Sequence, residues 1–354
     1  MSDGEVIVAG AGIWGCTLAR RLAEAGRRVL VLERRPAVGG NVRCETDPKT
    51  GIEIHVYGSH IFHTHNRAVW DFVRRFTEFN GYQHKVLANY RGRTFTLPLG
   101  LTLINKFFGV ELRPGEVADF MADAGHSAAI FDAFFRGYTA KQWGRPPEEV
   151  DPSVIRRVPV RANYDVNYFN DYWQGIPSEG YNRLFERLLD HPNIRVECNA
   201  AFTLADLRED VRTYYSGPID ELFGYEFGAL PWRSLRFETE WLDIQDYQGT
   251  SVVNYTEAEV PYTRIHEFKH YHPESKQTMA AARTVICREY PQTWKLGDEP
   301  YYPIASPESE ALLERYREKA KLFPNLVIGG RLGGYRYYDM DQAMAAALEI
   351  ELPR

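Results

Sequence analysis

Residues 10–15 read GAGIWG, and what surrounds them leaves few folds open. Val6-Ile7-Val8-Ala9 before them is a short apolar strand. A helical run follows from Cys16 to Ala25, closed by Gly26, and RVLVLE forms a second strand that ends at Glu33. Strand, glycines, helix and strand make a βαβ unit that opens a parallel sheet. Gly10, Gly12 and Gly15 fit G-x-G-x-x-G. The first glycine of that pattern allows a tight turn, the second lets a pyrophosphate approach the backbone, and the third lets helix and strand pack closely. The helix N-terminus offers free N–H groups and positive potential to the phosphates. Glu33 stands at the distance expected of a ribose-binding carboxylate. A glycine turn without a ligand needs none of this register, so dinucleotide binding is the expectation.

The dinucleotide is expected to be FAD. RRPAVGGNV follows Glu33, and its Gly39, Gly40 and Asn41 resemble the FAD-binding branch of this fold. Near the other end, GGRLGGYRYYDMD joins a strand to a helix whose N-terminus is placed to meet the flavin ring or the pyrophosphate. No second G-x-G-x-x-G follows a strand, so no nicotinamide dock is legible.

Between these ends the character of the chain changes. Asn66 is expected to cap a helix whose apolar face is Val69, Phe72, Val73 and Phe76. HKVLANYRGRTFTLP predicts two strands around an Arg-Gly turn. Leu101 to about Trp143 is helical and rich in Phe, and Pro146, Pro147 and Pro152 end that block. RSLRFETEWLDI, PYTRIHEFKHY and RTVICREYP alternate like antiparallel strands with one wet face. PESEALLERYREKAKLF, NLVIGG and DMDQAMAAALEI then return to helix, strand and helix. An open parallel sheet interrupted by insertions explains this order.

Composition narrows the function classes. A 44% hydrophobic, 25% charged chain is an ordinary globular mixture, which excludes disorder as its dominant state. Net charge is −6 and the pI near 6.0, which argues against nucleic acid as a partner. Local arginine clusters, such as Arg156, Arg157 and Arg161, therefore need a compact anion to explain them. The 14% aromatic content favours a site for a planar ligand. Four scattered cysteines, with no CxxC pair, predict neither a disulfide scaffold nor a zinc site. No apolar run reaches the roughly 20 residues of a membrane span. The opening residues lead straight into a strand without a leader pattern, so a cytoplasmic protein without membrane insertion is expected.

Seven segments resemble UDP-galactopyranose mutases of the bacterial, FAD-dependent type: GSHIFHT (58–64), YTAKQWG (138–144), RVPVR (157–161), YF (168–169), PYTRIHEFKH, GDEPYYP and YYDMD. They stand in that family's order and span nearly the whole chain. The resemblance implies an α/β fold: a Rossmann-like FAD-binding parallel sheet domain with an inserted helical bundle and an inserted antiparallel β-sheet domain. Drawn on this chain, the FAD domain is 1–80 with 180–230 and 306–354, the bundle is 99–152, and the antiparallel domain is 81–98 with 153–179 and 231–305. The implied activity is interconversion of UDP-galactopyranose and UDP-galactofuranose. It proceeds through a covalent adduct of reduced flavin N5 with the anomeric carbon, without net redox, and supplies galactofuranose for cell-surface glycans. A homodimer is also implied. The rival reading is a conventional FAD-dependent oxidoreductase related to amine oxidases.

The same resemblance implies roles for residues. Arg157 and Arg264 are expected to clamp the diphosphate from two sides, with His63 against the isoalloxazine as a third catalytic residue. Guanidinium suits the clamp because its planar donors match phosphate oxygens and it stays charged. Phe134, Tyr138, Thr139, Trp143, Tyr168 and Phe169 are expected to form the uridine slot, while Phe131 and Phe135 are expected to pack the bundle. Tyr302, Tyr337 and Asp339 are placed on the phosphate and sugar side, and Asn254 is expected to contact the sugar or uridine; His84 stands where the family commonly has Asn and is expected to contact the nucleotide. The cofactor is expected at Gly10, Gly12, Ile13, Trp14, Gly15, Glu33 and Arg34, at Gly40 and Asn41, and at His60 and Ile61. Arg331, Tyr338, Asp339 and Met340 complete that set. His60 and His63, with His55 and His65 nearby, have a spacing that suggests a metal pair, but no carboxylate cluster is expected beside them, so no metal is expected.

Overall fold

The computed structural model describes residues 4–149 and 160–352. Arg156, Arg157 and Pro159, and with them the expected second half of the arginine clamp, lie outside the described residues.

The βαβ unit forms as the pattern requires. Strand Val6–Ala9 is buried along its whole length. It pairs in parallel with Val29–Glu33 on one side and Thr213–Tyr215 on the other. Ile194–Cys198 and Leu326–Ile328 extend the edges, giving five parallel strands among the described residues. The helix begins at Ile13, three residues before the expected Cys16, and runs to Glu24. Gly15 therefore sits inside its first turn, where a Cβ would lie 1.9 Å from the Gly10 carbonyl oxygen. Helices Tyr181–Leu189 and Met340–Leu348 pack beside it. Tyr181, Leu184, Phe185 and Leu188, at helical spacing, enter the same core as Leu18, Leu22 and Val31. Truncating one such leucine to alanine costs about 2–5 kcal/mol.

The second sheet is seven-stranded, in the order Tyr302–Pro303, Trp232–Leu242, Thr284–Thr293, Arg264–Glu267, Val252–Tyr255, Val86–Tyr90 and Arg93–Leu97. Val86–Tyr90 and Arg93–Leu97 form the expected hairpin, with Arg91 and Gly92 both at positive φ in the turn. One junction differs from the expected antiparallel pattern: Val86–Tyr90 runs parallel to Val252–Tyr255. Parallel neighbours need a long connection, and here it takes in the helical block, Ile194–Cys198 and Thr213–Tyr215 of the parallel sheet, and Trp232–Leu242.

That block packs on the hairpin through Phe95, Leu101, Ile104, Ile130 and Phe134. Helix Ala124–Phe131 continues through a π-helical turn, Asp132–Arg136, into Gly137–Trp143. A π turn inserts one residue and re-aims the side chains around it. Here it brings Phe134 and Phe135 to the wall of a cavity. Gly137 lets the helix touch the second sheet, since a Cβ there would lie 2.4 Å from the Thr256 carbonyl. Lys141 fastens the contact by donating to the carbonyls of Tyr255, Val260 and Tyr262 at 2.7–3.0 Å. Among the described residues, no helix is long and apolar enough to cross a membrane.

Candidate active site

One cavity of about 840 Å³ runs from the glycine turn of the parallel sheet to the inner face of the second sheet. Except for Arg157, every residue singled out above for catalysis, cofactor or substrate lines it. The cofactor set gathers at one end: Gly10, Gly12, Ile13, Trp14, Gly15, Glu33, Arg34, Gly40, Asn41, His60, Ile61, Arg331, Tyr338, Asp339 and Met340. His63, His84, Phe134, Tyr138, Thr139, Trp143, Tyr168, Phe169, Asn254, Arg264, Tyr302 and Tyr337 line the rest.

The cofactor end is built from backbone. Gly10 has φ +106°, and a Cβ would lie 2.2 Å from Ser216 Oγ, so only glycine makes this turn without strain. A Cβ on Gly12 would meet nothing closer than 3.9 Å, which leaves open room above the helix start. Glu33 is buried, and its two carboxylate oxygens accept from the backbone N–H groups of Ala11 and Arg35 at 2.8 and 2.9 Å. The carboxylate is thereby held at the glycine turn with lone pairs to spare for a ribose hydroxyl. Arg35 bonds Asn41 Oδ1 and Glu299, and Arg34 pairs with Glu221 and Glu299. Arg331 Nε is buried in the wall without a hydrogen-bond partner among the described residues, while the His60 ring bonds the Gly58 backbone. An orphaned polar atom in a cradle that excludes side chains is what a polar planar ligand would satisfy. FAD fits this end: Gly10, Gly12 and Gly15 would admit its pyrophosphate, and Glu33 would take a ribose hydroxyl. Burial takes the His60 imidazole down to about 3, so that ring is neutral beside the cavity.

The opposite wall is built from side chains. Asn254, Arg264 and Glu289 are register neighbours on three adjacent strands. Arg264 Nε lies 3.3 Å from Glu289 Oε1, and His266 Nε2 lies 3.1 Å from Glu289 Oε2. Burial alone would raise the Glu289 carboxyl, but Arg264 and His266 outweigh it and bring it to about 2. Arg264 also donates to the Tyr138 hydroxyl, and Glu289 holds it charged. Its cation therefore faces the cavity with one carboxylate already against it. Asn254 Oδ1 and Gln142 Oε1, both buried, have no hydrogen-bond partner among the described residues.

Rings close the remaining sides. Tyr302 and Tyr337 stack at 6.0 Å, with the Arg331 guanidinium over both, and Trp143 stands 6.4 Å from Tyr302. Phe169 lies between two imidazoles, 3.7 Å from His63 and 5.5 Å from His84. Arg161 is structural: it donates to Asn167 O and Asn170 Oδ1, folding its own loop, while the Tyr168 N–H bonds His84 O. Asp339 lies at the N-cap of Met340–Leu348, its N–H bonded to Gln342 Oε1, and lines the cavity as well.

Two expectations need correction. Phe135, expected only to pack the bundle, lines the cavity because the π turn redirects it. The histidine stretch does meet carboxylates, brought from far in sequence: Asp171 bonds His63 Nδ1 at 2.9 Å and pairs with His65, while Asp341 accepts from Thr64. Nearby, Cys44, Glu53 and His55 bring ligand atoms within 4.8 Å of one another. The His60 N–H donates to His55 Nδ1, however, so the ring proton is on Nε2 and that nitrogen has no lone pair for a metal. Sequence reading missed Glu289, Gln142 and Asp171. Only Glu289 left a signal, as a carboxylate at an inward position of the alternating run Val285, Cys287, Glu289.

A Rossmann sheet with a side-chain-free glycine turn, opening onto a cationic and aromatic wall, defines an enzyme of the dinucleotide-binding class. The comparisons with known proteins narrow it. A family profile described as UDP-galactopyranose mutase matches residues 133–337, and one described as an NAD(P)-binding Rossmann-like domain matches 8–76. The chain is 41% identical to a probable UDP-galactopyranose mutase of Klebsiella pneumoniae, over 99% of this chain and 94% of that one. It is 38% identical to a dTDP-fucopyranose mutase of Escherichia coli, over 98% and 97%. A crystal structure of reduced UDP-galactopyranose mutase superposes with a TM-score of 0.74 at 17% identity, covering 98% of this chain and 94% of that one, which speaks for the fold. The chain belongs to the UDP-galactopyranose mutase family, FAD-dependent isomerases.

Proposed function

We propose that this chain interconverts UDP-galactopyranose and UDP-galactofuranose, with reduced FAD, as a cytoplasmic homodimer that supplies galactofuranose for cell-surface glycans. The observation that carries the reading is the single cavity joining a glycine cradle to the row Asn254, Arg264 and Glu289. When bound and reduced, FAD supplies an electron-rich nitrogen, N5, as the nucleophile toward the anomeric carbon. The chain's own residues do the rest. Arg264 binds the diphosphate and stabilises the charge that builds on departing UDP. Arg157, in the RVPVR motif, binds it from the other side. Tyr138, Trp143, Phe134, Tyr168 and Phe169 flank the base, Thr139 and Asn254 give it polar contacts, and Tyr302 and Tyr337 hold phosphate oxygens without adding charge. His63, its Nδ1 bonded to Asp171, would stand as a fixed ring against the isoalloxazine.

Mixing the dithionite-reduced protein with UDP-galactofuranose tests this reading, with chromatography for UDP-galactopyranose. Conversion is expected after reduction and little before it. Stoichiometric loss of oxygen or nicotinamide would point to the oxidoreductase reading instead. A dTDP-6-deoxyhexose, the substrate type in the name of the E. coli relative, is the competitor to run beside it; faster turnover of that substrate would overturn the UDP-galactose assignment.

A further inference from the structure

His84 lines the cavity and is held from four directions. Its N–H bonds Gln174 Oε1 at 3.1 Å, and its carbonyl accepts from the Tyr168 N–H at 2.8 Å. Phe169 stacks on the ring, and Tyr168 meets it edge-on. Ring Nδ1 lies 3.1 Å from the Tyr82 hydroxyl, which in turn contacts Ser251 Oγ.

The protons in this chain can be counted. Ser251 is buried, and its hydroxyl finds only the Tyr82 oxygen among the described residues. Were Tyr82 to donate to Ser251, the serine proton would be left in a dry place without an acceptor, which is costly. Ser251 therefore donates to Tyr82, whose oxygen also receives the Lys85 N–H. The Tyr82 proton then goes to His84 Nδ1, which must be a lone pair. The ring proton of His84 lies on Nε2, the nitrogen that remains for the cavity.

We propose that Tyr82 and Ser251 hold His84 in the Nε2–H form, so that the ring gives a neutral hydrogen bond to a diphosphate oxygen beside Arg264. The assignment of the acceptor rests on the nucleotide-sugar reading above; the tautomer does not. Burial takes the imidazole down to about 3, with Arg264, His266 and His63 pressing the same way, so the donor carries no charge. Arg264 supplies the charge, and His84 adds direction. Tyr82 is the positioning residue: it touches no ligand and acts through His84.

Long-range ¹H–¹⁵N correlation spectra of the flavin-loaded protein test the tautomer, with His84 assigned by its absence in His84→Gln. Unprotonated Nδ1 and protonated Nε2 are expected in the wild type and loss of that fixed pattern in Tyr82→Phe; a proton on wild-type Nδ1 overturns the proposal. Binding of UDP and of uridine tests the acceptor. Tyr82→Phe should weaken UDP about three- to tenfold, and His84→Leu about tenfold, the range of one lost hydrogen bond. His84→Gln, which keeps an N–H near the Nε2 position, should stay within about twofold. Uridine, lacking phosphate, should bind all of them alike. UDP affinity unchanged in Tyr82→Phe and His84→Leu overturns the diphosphate contact, as does equal weakening of uridine. UDP that fails to bind wild-type protein overturns the nucleotide reading itself, while the tautomer in the free protein stands or falls alone.

Discussion

The two ends of the cavity hold their ligands by different means. At the parallel sheet the site is made by what is missing: Gly10, Gly12 and Gly15 remove side chains so that backbone N–H groups and a helix start face the ligand. At the seven-stranded sheet the site is made by what projects: Asn254, Arg264 and Glu289 come from three strands and meet through register alone. A backbone site depends on one continuous turn, and one added methyl breaks it. A side-chain site spreads over strands that the fold would keep if any one of its residues changed, so its losses fall on chemistry first.

That contrast predicts an order of effects. Gly15→Ala should be the most damaging single change, because its Cβ would meet the Gly10 carbonyl oxygen at 1.9 Å. A loss above about 4 kcal/mol and purification of colourless protein are expected, measured by thermal melting and flavin absorbance. A stable yellow Gly15→Ala protein would break the comparison at its strongest point. Arg264→Ala should cut kcat/KM about 10²–10³-fold while flavin content holds, and Arg157→Ala should act in the same sense. If either loses flavin in proportion to activity, the two ends are not separable. Trp143→Ala should weaken UDP about tenfold, as loss of one stacking face does, with a smaller effect on kcat; competition binding checks this.

The smallest expected effect is a matter of pH. The Glu289 carboxyl sits at about 2 against an ordinary 4.5, so the stability it brings is complete above about pH 4.5 and is lost as pH falls toward 2. Glu289→Gln should therefore flatten the wild-type loss of stability across that acid window and leave its shape above it unchanged. Chemical denaturation at several pH values, comparing the two proteins, reads the difference.

How much could be read from the chain follows from the same contrast. The cofactor end was legible because its parts are neighbours in sequence: strand, three glycines and Glu33 lie within residues 6–33. The helix carrying Tyr138 and Trp143 was legible as a contiguous motif for the same reason. Pairing across strands is a different kind of information. Nothing near Arg264 names Glu289 as its partner; that follows only once the strands align. Asp171 reaches His63 from 108 residues away, through a strand pairing of Phe62–Thr64 with Trp173–Gly175 that neither segment announces. Phe135 was misjudged because a π turn shifts the helical phase by one residue, and periodicity assumes that phase is constant.

The most direct test of the account is a crystal structure of the reduced, FAD-loaded protein with UDP. The account predicts a diphosphate within about 2.7–2.9 Å of guanidinium nitrogens of both Arg264 and Arg157, with the flavin along the Gly10–Gly15 turn. A bound UDP whose phosphates lie away from both arginines would contradict it.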